Sequence, residues 1–158
     1  TVEVLPGRGI TLEALLDFYE TLGESSGPMP HYKPEVSTTN DVVRQAIIPR
    51  SRTADGGGAA YVDMLPPQSA GEPEVMVTHT WTGLFLDLVA AVVADARGRD
   101  EYDSIAAQLS GGDCARLRSS LEKRGMLGRT YWICAFSVSQ HDGICGSNPD
   151  HACDTVTG

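Results

Sequence analysis

The spacing of apolar residues divides the chain into short helical stretches followed by a strand, helix, strand rhythm. Leu12, Leu15, Leu16 and Tyr19 recur at i, i+3, i+4 and i+7, which predicts a short amphipathic helix with Thr11 as its cap. A second helix is expected over residues 40–48, capped by Thr39 or Asn40. Val42, Val43, Ala46 and Ile47 share its apolar face, and Pro49 closes it. Residues 25–38 hold three prolines and read as an irregular connection. Residues 50–73, with Gly56-Gly57-Gly58 and Pro66-Pro67, read as loop with one short strand or turn around 60–65. The expected organisation is a helical and loop-rich arm over 1–71 and an α/β domain over 72–158.

The second half carries the stronger patterns. Glu74–His79 is a short apolar run suited to a buried strand, and a turn follows at 80–83. A helix is expected from Leu84 to Arg97, its wide apolar face formed by Leu84, Phe85, Leu88, Val89, Val92 and Val93. Gly98 supplies the residue that ends it. A polar helical stretch over Glu101–Leu109 and a helix from the Asp113 cap to Arg124 come next. Thr130–Val138, rich in aromatic and β-branched side chains, is the strongest strand pattern in the chain. Strand, helical crossover, strand predicts an α/β fold with the two strands parallel in one sheet.

Ligands of open α/β sheets bind beyond the carboxyl ends of the strands. Two polar loops fall there, Thr78-His79-Thr80-Trp81 and Ser137-Val138-Ser139-Gln140-His141-Asp142. If the strands are neighbours, His79 and His141 project into one crevice. His79 then serves as a hydrogen-bonding or acid/base group near neutral pH, Trp81 as a stacking surface, and Ser139, Gln140 and His141 as polar contacts. A plain structural role suits the same residues: His79 caps the strand end, Trp81 packs on the helix, and the second loop is a turn before Asp142-Gly143.

Composition narrows the partners. The 158 residues are 41% hydrophobic and 21% charged, ordinary for one globular domain with or without an arm. A net charge of −9, shared between the two halves with no basic stripe, argues against nucleic-acid binding. The longest apolar stretch, Leu84 to Ala94, is broken by Asp87 and is shorter than the roughly 20 residues of a membrane span. No basic and then apolar leader opens the chain, so a cytoplasmic location is expected. Thr1 and the loop-like Asp154–Gly158 read as cut ends of a longer chain.

His141, Cys145, His151 and Cys153 bring four metal-ligating groups into one Gly/Pro/Asn-rich stretch. They could close a zinc site, Cys145 and Cys153 could pair as a disulfide, or the thiols could stay free. Cys134 reads as a small core residue. Cys114, opening a helix, either has a lowered pKa or is packed and inert. Asp87 falls at the polar margin of the crossover helix, where a catalytic carboxylate is conceivable. The Gly56–Gly58 triplet lacks the Lys-Ser/Thr and the following helix of a phosphate loop.

Val77-Thr78-His79-Thr80-Trp81 with Phe85–Val89, Thr38–Pro49, and Tyr131-Trp132-Ile133-Cys134-Ala135-Phe136-Ser137-Val138-Ser139-Gln140-His141 together resemble a set of uncharacterised proteins from unicellular algae. Ser139 stands where that set usually has Asn. More distantly, a strand ending in Thr-His-Thr-Trp, a helix, and a strand ending in a polar loop are similar to the start of a TIR domain. This resemblance implies a three-layer, flavodoxin-like module that signals by self-association or through a protein partner. It also implies a cleft for NAD or a related nucleotide, and NAD glycohydrolase activity in a longer form that supplies a glutamate. The alternative is a small non-enzymatic binding module whose C-terminal loop is stapled by zinc or a disulfide.

Overall fold

The structure is a computed structural model and describes residues 8–54, 56–98 and 103–141. It is an α/β fold on a four-stranded mixed sheet of order β2-β1-β4-β3: β1 (Gly9–Thr11), β2 (Ala70–Gly71), β3 (Val75–Val77) and β4 (Thr130–Ile133). The strand pair expected from the second half forms: β3 and β4 are parallel neighbours, with Val75 opposite Tyr131 and Val77 opposite Ile133. Three helices make the crossover, α4 (Phe85–Ala96), α5 (Asp103–Ser110) and α6 (Cys114–Lys123). The other half of the sheet is antiparallel, because β1 pairs with β4 on one side and β2 on the other. Residues assigned by pattern to an arm therefore build two of the strands, and they share one continuous core with the rest.

Helix α1 (Leu12–Glu20) begins where its cap was expected. The Thr11 hydroxyl accepts from the Ala14 amide, while the Leu12 and Glu13 amides donate to the Arg129 and Leu127 carbonyls. Three of the amides left open at a helix start are thereby satisfied, two of them by the turn leading into β4. The helix lays Leu12, Leu15, Leu16 and Phe18 against α4 and the sheet face that carries Ile10, Tyr131 and Ile133, all of them buried. Met76, on the alternate side of β3, is 58% exposed, as the two-residue period of a strand requires.

The second helix differs from expectation at both ends. Thr38 is the cap of α2 (Thr39–Val42), in a reciprocal box with Asp41. The helix then continues as a π turn, Val43–Ile47, and passes through Pro49 in α3 (Ile48–Arg50). A proline inside an α-helix clashes with the carbonyl four residues earlier. The widened turn immediately before it relieves that clash, so Pro49 does not close the helix.

The last strand is also shorter than its sequence suggests. After Ile133 the chain turns into α7 (Cys134–Ser137). The Ser137 hydroxyl accepts from the Ile133 amide at 3.1 Å and donates to the Arg8 carbonyl at 2.7 Å, and Phe136 is fully buried. A local side-chain bond to the backbone and an aromatic anchor override strand propensity here. Among the described residues no helix is long and apolar enough to cross a membrane.

Candidate functional site

A cavity of about 290 Å³ lies where β3 ends and α4 begins, lined by Thr39, Val77, Thr78, His79, Thr80, Gly83, Leu84, Asp87 and neighbouring α4 residues. The backbone around it is pinned from the other side. The Thr39, Asn40 and Phe85 amides donate to the Gly83, Trp81 and Ser37 carbonyls, and Thr38 bridges Leu84. Helix α2 thus holds the β3–α4 loop in one shape. Gly83 is required there, since a Cβ would meet the Thr80 hydroxyl at 2.8 Å.

His79 is the unusual member. Its ring stands edge-on to Trp81, centroids 5.1 Å apart, and both ring nitrogens are buried without a hydrogen-bonding partner. Burial lowers its pKa, offset in part by the Thr80 backbone, so the imidazole is neutral at pH 7. A neutral imidazole presents one donor and one acceptor to whatever fills the cavity. Asp87, in the first turn of α4, supplies a carboxylate on the same wall. Trp81 packs partly buried against the core, and the expected packing role for it fits this contact.

Leaving two polar atoms buried and unpaired weakens the fold. His79→Phe is accordingly expected to raise unfolding stability by about 1 kcal/mol, read as a higher urea midpoint. The pH dependence has a definite sign. The native pKa lies below the unfolded value of about 6.5, so the unfolded chain takes up the proton first as pH falls. Stability is full above about pH 6.5, declines as pH drops below it, and loses that component of its slope in His79→Phe.

The second loop does not reach this cavity. Gln140 is buried and donates twice within its own loop, to the Cys134 and Val138 carbonyls, both at 3.0 Å. The Ser139 hydroxyl is buried without a partner. His141 meets Ser51, Nε2 to Oγ 3.0 Å, at the far end of the helical run that starts beside His79. That run, Thr39 to Arg50, is roughly 18 Å long at about 1.5 Å per residue, so the crevice shared by His79 and His141 is not formed. The strands are parallel neighbours as the pattern implied. The early turn at α7 sends the second loop elsewhere.

Ser51 beside His141 has the residue types of a nucleophile and its base, but not the geometry. Ser51 is fully buried, and its hydroxyl donates to the Ile47 carbonyl at 2.7 Å, so the His141 Nε2–H donates to Oγ. This clasp needs Gly58, whose Cβ position is occupied by the His141 ring. Gly58→Ala is expected to expel the ring and remove about 1 kcal/mol of stability. Long-range ¹H–¹⁵N spectra of the imidazole, which report the Nε2–H tautomer in the parent protein, will show the loss.

Cys145, His151 and Cys153 lie outside the described residues, and with them the proposed zinc or disulfide staple. Among the described residues no group of three or more His, Cys, Asp or Glu side chains could hold a metal ion. Cys134 and Cys114 are free thiols. Burial, reinforced by Glu20, pushes the Cys114 pKa up to about 12, which overturns the activated reading of a helix-start cysteine. Sequence reasoning did not foresee Thr39 on the cavity wall or Ser51 beside His141. Both contacts join segments far apart in the chain, and no local spacing signals them. No family model, no curated protein and no solved structure matches the chain.

Proposed function

We propose that the chain is a TIR-like signalling and interaction module whose cavity at the carboxyl end of β3 takes the nucleoside part of a nucleotide such as NAD. The observation that carries this reading is His79, a neutral imidazole with two unpaired, buried nitrogens on the wall of that cavity. Position supports it as well, because parallel strands joined by a helical crossover bind ligands at that edge. At about 290 Å³ the cavity is near the lower end of the range for ligand pockets, suited to a nucleoside rather than a whole dinucleotide.

The polar groups divide naturally between the parts of such a ligand. His79 offers the donor and acceptor pair that a base edge or a ribose hydroxyl can use. The Asp87 carboxylate and the Thr39, Thr78 and Thr80 hydroxyls suit a ribose diol. No cationic side chain lines the cavity among the described residues, so the phosphates extend outward. Gln140 and His141, engaged elsewhere, have no part in this binding.

Calorimetric titration with adenosine and with NAD tests the reading. Saturable binding is expected, weakened at least about tenfold by His79→Ala, equivalent to about 1.4 kcal/mol, and unchanged by His141→Ala. No saturable heat with either ligand, or parent-like binding by a folded His79→Ala, would falsify it. Release of nicotinamide on incubation with NAD separates hydrolysis from binding alone. Concentration-dependent association in sedimentation tests the signalling part.

A further inference from the structure

A second cavity, of about 410 Å³, lies between the end of α1, the Tyr32 turn and the α5–α6 junction, and shares no residue with the His79 cavity. Tyr19 and Tyr32 form its aromatic wall, rings edge-on with centroids 5.8 Å apart. Tyr19 is only 6% exposed, yet its hydroxyl completes no hydrogen bond, and neither does the buried hydroxyl of Tyr32. Burial raises both phenol pKa values, so both groups are neutral hydroxyls able to accept as well as donate. Buried polar groups are normally paired, and two orphans on one cavity wall mark a place where a ligand completes the bonding.

The charge around the cavity selects the sign of that ligand. Arg118 is shared by three carboxylates, Asp17 at 2.7 Å, Glu20 at 3.0 Å and Glu13 at 4.0 Å, so this face of α1 stays net negative. Glu20 itself lines the cavity, and among the described residues no cationic side chain does. An anion would be repelled. A neutral molecule would gain nothing from Glu20, whereas a cation gains from the carboxylate, the aromatic wall and the hydroxyl oxygens together. Leu22 and Leu109 complete the lining with apolar surface.

We propose that this cavity binds a small organic cation, a protonated primary amine carrying a compact apolar group. The ammonium sits between Glu20 and the tyrosine hydroxyls, and the apolar group lies against Leu22 and Leu109. Cys114, also on the wall, contributes volume only, as a thiol rather than a thiolate.

Calorimetry with phenethylammonium, and with 2-phenylethanol and phenylacetate as its neutral and anionic counterparts, decides the matter. One saturable site is expected for the amine, at least about tenfold tighter than for either counterpart. Glu20→Gln and Tyr19→Phe should each weaken it by about three- to tenfold. Equal binding of amine and alcohol, absence of a saturable site, or parent-like binding by both folded variants overturns the proposal. If Tyr19→Phe does not fold, Glu20→Gln carries the test, since that side chain is 40% exposed and outside the core. Because the two cavities are built from different residues, failure of the nucleotide reading leaves the amine isotherm as predicted, and the reverse holds.

Discussion

Replacing Phe18 with alanine is expected to remove about 3–5 kcal/mol of folding stability, a large share of what a domain of this size possesses. Phe18 is 2% exposed and stands at the centre of the aromatic core. Its ring meets Tyr61, Phe136 and Phe85 edge-on, at 5.2, 5.1 and 5.9 Å between centroids. The Arg50 guanidinium lies 5.7 Å from the same centroid. These partners come from four separate segments, so no single rearrangement can close the void an alanine leaves. Chemical denaturation measures the loss. A midpoint shift worth under about 1 kcal/mol would mean that the cluster is not the organising centre of the fold.

Gly9→Ala is expected to cost about 1–3 kcal/mol, although it adds one methyl group to a three-residue strand. A Cβ on Gly9 would stand 2.9 Å from the Gly71 carbonyl oxygen and 2.9 Å from the Pro73 Cα. Both are backbone atoms and cannot swing aside as a side chain can. Gly9 faces Gly71 in the β1–β2 pair, so relief requires β2 to move away from the sheet. Faster amide exchange at Ala70 and Gly71, together with the lower denaturation midpoint, is the expected signature. Parent-like exchange at both amides would show that the crowding is absorbed without separating the strands.

Amphipathic spacing was enough to locate α1, α4 and α6 to within a residue or two, because each buries one stripe on a common core and punctuates its ends with Thr11, Gly98 or Gly125. The parallel pairing of β3 with β4 was legible for a related reason, since two apolar runs separated by helices have few other arrangements. Strands β1 and β2 were not legible. Two or three residues containing glycine have no period to read, and their pairing is decided by what lies across from them. The turn at α7 was hidden by the strand-like composition of Cys134–Val138, where the Ser137 hydroxyl decides the outcome. That one turn also determined how much of the candidate site could be foreseen. His79 and Trp81 lie where the strand end put them, while the residues beyond Ser137 are carried to Ser51 and Gly58.

The π turn at Val43–Ile47 makes the reach of that distant clasp depend on residue count. Taking out one residue, Arg44 for instance, would let the backbone close into an ordinary α-helix and swing everything after it by about 100° about the axis. Pro49 would then collide with the carbonyl it now avoids, and Ser51 would face away from His141. A one-residue deletion on a partly exposed helix would thus dismantle two contacts it never touches, whereas exchanging Arg44 for another long side chain would leave both standing.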